Sequence, residues 1–262
     1  MTSCELADAV VVVTGGGSGI GAALARRCHA EGARSVVVVD RDEASARAVA
    51  GEVDGVPEIV DVTDEAAVRD LVARTVDREG HIDLFCSNAG ILTGAGVDDP
   101  GDLWHAAFEV NVMAHVYAAR AVLPSMLERG SGWLLNTASA AGLLIAPGDA
   151  PYTATKHAAV GFAEYLAVTY GSQGIGVSVL CPLGVATPLL MDPLADGDPG
   201  ARAVAASGQI VTAEHVADTV VAGLAEERFL ILPHPEVGRF WAQKASDPDR
   251  WLAGMRRLVA ST

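Results

Sequence analysis

The sequence has few basic residues for its length of 262. Lysine and arginine together number 18, against 33 aspartates and glutamates, and the formal net charge at neutral pH is −15. A surface of this charge repels the phosphate backbone of nucleic acids and the anionic face of a membrane. We therefore expect neither nucleic acid nor membrane among the partners of this protein.

Long apolar runs and paired cysteines are also missing. No apolar stretch reaches the roughly 20 residues needed to span a bilayer, and residues 1–9 lack the basic segment and apolar stretch of a signal peptide. The four cysteines lack the spacing of a zinc site or a disulfide framework, and no histidine has metal-ligand companions. The pattern predicts no metal site and indicates buried, reduced thiols in a cytoplasmic protein. These cysteines are Cys4, Cys28, Cys86 and Cys181.

The chain is organised around a valine-rich segment followed by glycines. Four consecutive valines, residues 10–13, predict a strand buried on both faces, and an alanine-rich helical pattern follows over residues 22–30. Backbone N–H groups in a glycine-rich turn at a helix N-terminus favour a phosphate. The candidate phosphate-binding residues are Gly15, Ser18, Gly19, Ile20 and Gly21.

A second valine-rich strand strengthens this interpretation. Residues 35–39 end at Asp40, nineteen residues beyond Gly21. A carboxylate at that distance from the glycine turn can accept hydrogen bonds from an adenosine ribose. The two strands and the helix between them therefore predict a dinucleotide-binding βαβ unit.

Strands and helices alternate along the rest of the chain. Helical patterns cover residues 42–51, 102–129 and 152–171, with another helix opening at residues 63–65; further strands are predicted at 56–60, 81–86, 132–136, 177–181 and 229–232. Such alternation predicts a parallel sheet covered on both faces. We therefore expect a single α/β domain over residues 1–262, a doubly wound, Rossmann-type fold with seven parallel strands. Ligands in this fold bind beyond the carboxyl ends of the strands.

Four polar side chains are candidates for acid–base chemistry at that edge. Tyr152 and Lys156 are four residues apart in a predicted helix, which places them on one face. A nearby ammonium group favours the phenolate and would lower the pKa of Tyr152. Ser139 lies thirteen residues upstream, and Asn111 stands inside the long predicted helix, where an amide has no propensity reason to be.

Taken together, these motifs resemble those of the short-chain dehydrogenase/reductase family. The resemblance covers about residues 8–232 and rests on motifs in the family's order and spacing. Its elements are Thr14-Gly15-x-x-x-Gly19-Ile20-Gly21, Asn88-Ala89-Gly90, Asn111, Ser139 and Tyr152-x-x-x-Lys156.

The resemblance implies a role for each polar side chain. Tyr152 would exchange a proton with the substrate oxygen, Ser139 would hydrogen-bond that oxygen, and Lys156 would hold the nicotinamide ribose and lower the tyrosine pKa. Asn111 would hold a water that links Lys156 to solvent. The alternative for Asn111 is a kink or an internal hydrogen bond in its helix.

The cofactor choice depends on two neighbouring side chains. Asp40 favours NAD, because a carboxylate repels a 2′-phosphate and accepts a hydrogen bond from a free 2′-OH. Arg41 could instead grip the phosphate of NADP, but we expect it to point to solvent.

Further cofactor contacts are implied by the resemblance. They are Asp61 and Val62 at the adenine, Asn88, Ala89 and Gly90 on the ribose side, and Val185 and Thr187 at the nicotinamide carboxamide. The chain departs from the family at Leu183, where glycine usually follows the proline, and this leucine would narrow the pocket or alter the turn.

Two segments near the C-terminus lie outside this core. Residues 187–211 are interpreted as a mobile lid whose leucines suggest an apolar pocket, although these leucines could equally pack on the body. Residues 236–262 form a helical extension, predicted as one helix to residue 258. The extension either packs on its own subunit, covers the substrate cleft or meets a neighbouring subunit.

The sequence thus predicts an oxidoreductase that transfers a hydride between NAD and a small to medium, mostly apolar secondary alcohol or ketone. An NADP-dependent carbonyl reductase and a non-catalytic, nucleotide-binding regulatory protein are the alternatives. A homodimer or homotetramer is expected, with alanine-rich stretches allowing close approach of helices from neighbouring subunits. These stretches contain Ala118, Ala119, Ala121, Ala158, Ala159 and Ala163.

Overall fold

Seven parallel strands form one sheet in the order β3-β2-β1-β4-β5-β6-β7 in a computed structural model, which describes residues 4–261. The strands are β1 Val10–Thr14, β2 Ser35–Asp40, β3 Val56–Ile59, β4 Leu84–Ser87, β5 Gly132–Thr137, β6 Ile175–Leu180 and β7 Leu230–Ile231. The predicted seven-stranded parallel sheet is confirmed.

The valines of β1 show why the sheet is covered on both sides. Val10 and Val12 belong to the apolar core on one face, Val11 and Val13 belong to the core on the other, and all four are fully buried. Alternation along a strand sends successive side chains to opposite faces. An unbroken apolar run is therefore what a doubly covered strand requires.

Helices supply the two covers. On one face lie α1 (Gly19–Ala30), α2 (Glu43–Glu52) and α9 (Ala213–Ala225); on the other lie α3 (Glu65–Glu79), α5 (Ala114–Arg129) and α6 (Ala150–Tyr170). This arrangement is the predicted doubly wound fold. Within residues 4–261, none of the helices is both long and apolar enough to cross a bilayer.

The long helix predicted over residues 102–129 is interrupted. Helix α4 covers Asp102–Phe108, a π-helical turn covers Glu109–Met113, and α5 then continues the same rod. The side chain of Asn111 hydrogen-bonds groups outside the helix, and a π turn inserts the extra residue that aims it there.

The lid segment, residues 187–211, consists of two short helices, α7 (Pro188–Ala195) and α8 (Pro199–Ser207). Its base is closed by backbone hydrogen bonds: Ala186 N–H donates to Val211 O at 2.8 Å, and Val211 N–H donates to Gly184 O at 3.0 Å. The lid is therefore a folded unit with both ends fixed at the same place.

The C-terminal extension forms two helices where one was predicted, α10 (Pro235–Ser246) and α11 (Pro248–Ser261). Pro248 causes the break, because a proline restricts the preceding residue away from helical backbone. Val237 is fully buried in the core, and Trp251 packs against it. The extension thus packs on its own subunit.

Buried alanines and cysteines line the interior. Ala118, Ala119, Ala159 and Ala163 are buried in the chain's own core. These four alanines bring α5 and α6 close to the sheet, so they do not form the expected contact between subunits. Cys28, Cys86 and Cys181 are buried, as predicted, whereas Cys4 is only partly buried.

Candidate active site

A cleft of about 720 Å³ lies beyond the carboxyl ends of the strands. Most residues predicted for the site line it: Gly15, Ser18, Gly19, Ile20, Asp40, Arg41, Asp61, Val62, Asn88, Ala89, Gly90, Ser139, Tyr152, Lys156, Val185 and Thr187. Gly21 and Asn111 are not lining residues. The edge of the sheet predicted for ligand binding is therefore where the structure has its cleft.

The glycine turn is shaped by close backbone contacts. Gly15 and Gly19 have positive φ angles of 61° and 50°, a region that favours glycine. A Cβ on Gly21 would lie 2.0 Å from the Gly15 carbonyl oxygen. Gly21 thus keeps the turn tight from behind the cleft.

The start of α1 fits a phosphate group. Ser18 is the N-cap residue of α1, yet its side chain makes no capping hydrogen bond, and the first turn has no acidic residue. The first N–H groups of a helix lack partners inside it and carry the positive end of its dipole. Here they face the cleft beside Ser18 and Gly19, which suits a dinucleotide pyrophosphate.

Asp40 lies at the end of β2, next to this turn. Its Oδ2 accepts a hydrogen bond from Gly17 N–H at 3.0 Å, and its Oδ1 accepts one from Asp42 N–H at 3.1 Å. These bonds fix the carboxylate at the rim of the cleft. The Arg41 guanidinium helps to lower the pKa of Asp61, whose main stabilising contacts are hydrogen bonds from Thr63.

Asn88 joins the ends of three strands. Its Nδ2 donates to Thr14 O at 3.0 Å, and its Oδ1 accepts from Thr137 Oγ1 at 3.2 Å. The side-chain amide is thus engaged by the protein, and it holds the following residues, Ala89 and Gly90, against the cleft. A Cβ on Gly90 would lie 3.3 Å from Lys156 Nζ.

Helix α6 brings the two proposed acid–base side chains together. Tyr152 and Lys156 are buried on its inner face, and Lys156 Nζ donates to Thr137 O at 3.0 Å. Ser139 Oγ donates to Pro182 O at 3.4 Å, and its hydroxyl is near enough to Tyr152 to lower the pKa of the phenol. The predicted grouping of Ser139, Tyr152 and Lys156 is present in the structure.

Burial controls the ionisation of this group. Desolvation raises the pKa of Tyr152 to about 12, against a smaller lowering by the Ser139 hydrogen bond, and desolvation lowers the pKa of Lys156 to about 8. The expected lowering of the Tyr152 pKa is wrong for the protein by itself, because loss of water disfavours the phenolate more than neighbouring groups favour it.

Asn111 acts from behind the cleft. It is fully buried; its Oδ1 accepts from Ile91 N–H at 2.9 Å, and its Nδ2 donates to Ile91 O at 3.0 Å and Thr155 Oγ1 at 3.1 Å. These bonds tie the π turn to α6 and to the loop after β4. The internal hydrogen bonds considered as the alternative are therefore present, and a role in holding water stays a prediction.

The sequence analysis missed Asp149, the N-cap residue of α6. Its buried carboxylate accepts hydrogen bonds from Tyr152 N–H at 2.9 Å, Gly94 N–H at 2.8 Å, and Thr93 N–H and Oγ1–H at 2.7 Å each. The available signal was an aspartate two residues before Pro151, since capping residues precede a helix and proline occurs in its first turn.

The half of the cleft beyond Tyr152 is mostly apolar. Its walls come from the loop after β4, the π turn, the loop after Ser139, the turn after β6 and the lid. The apolar lining residues include Leu92, Val110, Ile145, Leu183, Leu190 and Val204. Leu183 thus lines the cleft, which is the position it must have if it narrows the pocket. Among the lining residues of the described chain, Arg41 and Lys156 are the cationic ones. Within residues 4–261, no group of three or more His, Cys, Asp or Glu side chains is arranged to hold a metal ion.

Comparison with known proteins identifies the family. The sequence profile described as short chain dehydrogenase matches residues 9–196. The chain belongs to the short-chain dehydrogenase/reductase family. It is 35% identical over 257 residues to 1-deoxy-11-beta-hydroxypentalenate dehydrogenase of Streptomyces avermitilis, covering 95% of this chain and 93% of that protein.

Two further similarities extend the comparison. Levodione reductase of Leifsonia aquatica is 38% identical over 203 residues, with 73% of this chain and 75% of that protein covered. A crystal structure of a short-chain dehydrogenase/reductase from Burkholderia phymatum in complex with NAD superposes with a TM-score of 0.84 at 29% identity, covering 94% of this chain and 95% of that one. The chain is an oxidoreductase of a family that uses NAD or NADP.

Proposed function

We propose that this enzyme transfers a hydride between NAD and an uncharged, largely apolar secondary alcohol or its ketone. The observation that carries the proposal is that the Tyr152 phenol, Ser139 and Lys156 line one cleft, with Lys156 Nζ 5.5 Å from the centroid of the Tyr152 ring. The three side chains lie between a polar and an apolar half of that cleft. NAD, when bound, supplies the hydride acceptor, and NADH the donor.

The protein's own residues manage the proton. At neutral pH the buried phenol is protonated, since its pKa is raised to about 12, and in this state Tyr152 can donate a proton to a ketone oxygen. In the opposite direction Tyr152 must first lose its own proton, and the resulting phenolate then accepts the hydroxyl proton of the alcohol. Ser139 offers a second hydrogen bond to the same oxygen, which stabilises the charge that develops there.

The polar half of the cleft supports NAD over NADP. The start of α1 would hold the pyrophosphate and Asp40 the adenosine ribose; Asp61 and Val62 would lie at the adenine, and Val185 and Thr187 at the carboxamide. Fixed by Gly17 N–H at 3.0 Å, the Asp40 carboxylate would repel a 2′-phosphate. Arg41 lines the same cleft and helps to lower the pKa of Asp61, so its guanidinium is the group that would favour NADP instead.

The apolar half supports an uncharged substrate. It is lined by leucine, isoleucine, valine and proline side chains, and the lining also includes Asp149 and Asp198. The nearby cation, Lys156, donates to Thr137 O at 3.0 Å. A carboxylate on the substrate would lose its hydration without gaining a partner. The similar proteins are named as a dehydrogenase of a hydroxypentalenate, which is a carboxylate, and a reductase of levodione, whose name contains no acidic group. The second name agrees with the uncharged substrate class and the first does not, so the panel has to include carboxylates.

A non-catalytic nucleotide-binding protein of the same fold is the rival hypothesis. Such a protein would have no use for the grouped Ser139, Tyr152 and Lys156, which favours the enzyme. The test is a panel of secondary alcohols and ketones, half of them carrying a carboxylate, assayed with both cofactors. We expect turnover of uncharged members with NAD. Preference for NADP or for the carboxylates would contradict the cofactor or substrate assignment, and no turnover with any member would contradict the catalytic function.

A further inference from the structure

Helix α10 is bound to two loops that border the apolar half of the cleft, although none of the described residues of the C-terminal extension lines the cleft itself. The first contact is made by His234, the buried N-cap residue of α10. Its Nδ1 accepts a hydrogen bond from Leu183 N–H at 3.2 Å. Its Nε2 therefore carries the proton and donates to Gly184 O at 3.0 Å and Gln209 O at 3.1 Å. One imidazole thus joins the turn after β6 to the end of the lid.

The second contact is made by Lys244, near the other end of α10. Its Nζ donates to Leu143 O at 2.8 Å and to Leu144 O at 3.0 Å, in the loop that follows the serine. The next residue of that loop, Ile145, lines the cleft. The ammonium also lies 5.3 Å from the centroid of the Trp251 ring in α11. Lys244 and Lys156 are the two lysines of a chain that has 16 arginines.

Between these contacts, α10 is firmly attached to the protein. Val237 is fully buried and Phe240 packs against the same core. With its 12 residues the helix forms a rod about 18 Å long. Hydrogen bonds from a charged donor such as Lys244 are stronger than those between neutral groups. The two walls of the substrate half are therefore both held by one rigid helix.

We propose that His234 and Lys244 are positioning residues, which set the distance between the Leu183 wall and the Ile145 wall and thereby select the size of the substrate. The inference rests on the proposed function, because it takes the apolar half of the cleft to be the substrate site. The C-terminal extension would thus contribute to substrate selection, although none of its described residues lines the cleft.

The first test is backbone hydrogen exchange of the full chain without ligands. Lys244→Met keeps the length of the side chain and removes both hydrogen bonds to the loop. We expect its residues 143–148 to take up deuterium faster than in wild type, whereas Arg239→Met, an exposed cation on the same helix, should leave that uptake unchanged. His234→Phe should increase uptake in residues 182–187 and 207–211. Unchanged uptake in Lys244→Met would overturn the inference, whether or not the enzyme turns over any substrate.

The second test separates positioning from general stability. For the best substrate of the panel, Lys244→Met should raise KM about tenfold or more while kcat and the Kd for NADH change little, because misplacing a wall by about 1 Å weakens substrate positioning. Lys244→Arg, which can still donate to both carbonyl oxygens, should restore most of the KM. Equal KM in wild type and Lys244→Met would overturn the inference, as would a loss of kcat alone. A wild type without activity would contradict the proposed function only, since hydrogen exchange still decides this inference.

Discussion

Lys156 Nζ lies 5.5 Å from the centroid of the Tyr152 ring, one helical turn away on α6. Both side chains are buried, and burial acts on them in opposite directions: it raises the pKa of Tyr152 to about 12 and lowers that of Lys156 to about 8. The ammonium is kept in the protein by the Thr137 carbonyl oxygen. Keeping the Lys156 ammonium group charged in the folded protein therefore costs free energy.

That cost predicts a pH-dependent stability. Between about pH 8 and 10.5 the unfolded chain retains the Lys156 proton and the folded chain loses it, so the stability of wild type rises with pH relative to Lys156→Met. The full relative gain is about 3 kcal/mol at most. Urea unfolding of both proteins at pH 7 and pH 10 measures it. Tyr152 is common to both and cancels from the comparison. A constant difference in unfolding free energy would contradict the assignment of the shift to Lys156.

Asp149→Asn should destabilise the fold and impair catalysis together. The carboxylate accepts four hydrogen bonds, from Tyr152, Gly94 and Thr93, and an amide would present N–H groups to some of those donors. Leaving buried donors unpaired costs about 1–3 kcal/mol each. Thermal unfolding and kcat measure the two effects. Asp198→Asn, at the N-cap of α8, is the matched control and should be milder; equal losses in the two variants would contradict the special position of Asp149.

Asp40 should determine cofactor preference. Asp40→Ala removes the carboxylate that would repel a 2′-phosphate and leaves Arg41 in place, so kcat/KM with NADP should rise relative to NAD. Steady-state kinetics with both cofactors checks this. Asp42→Ala, two residues further along the chain, serves as the control. It should leave the ratio of kcat/KM with NADP to kcat/KM with NAD unchanged. An NADP preference already present in wild type would contradict the role given to Asp40.

We expect a dimer or tetramer, although four of the six alanines first considered for the interface are buried in the core. Tyr165 and Val168 are exposed on the outer face of α6, at 58% and 85% of their full accessibility. Apolar residues exposed side by side favour association. Light scattering should give a multiple of 26.9 kDa, and Val168→Glu should shift it toward the monomer. A monomeric wild type at micromolar concentration would contradict this expectation.

The fold could be predicted because its signals are local. Valines at residues 10–13, the glycines after them and Asp40 at a fixed distance specify a βαβ unit without knowledge of distant contacts. Tyr152 and Lys156 were equally accessible, since their spacing in one helix decides their common face. In the turn after β6, Leu183 could be recognised as a departure from the family pattern. Its hydrogen-bond partner, His234, could not be predicted.

What the sequence could not supply depends on contacts between distant segments. His234 meets Leu183 across 51 residues and Lys244 meets Leu143 across 101, and neither residue lies in a pattern that suggests a partner. The π turn at Asn111 depends on the loop after β4, so helical periodicity predicted an unbroken helix. The Tyr152 pKa depends on burial, which is a property of the assembled cleft.

The most direct measurement of the account's central claim is the turnover of Tyr152→Phe beside its affinity for NADH. Phenylalanine keeps the ring and removes the exchangeable proton, so acid–base catalysis, worth about 10²–10⁴ in rate, should be lost. We expect turnover to fall at least about a hundredfold, while the Kd for NADH, measured by fluorescence titration, stays close to that of wild type. A variant that binds NADH normally and keeps more than about a hundredth of the wild-type rate would contradict the claim that Tyr152 is the proton donor and acceptor.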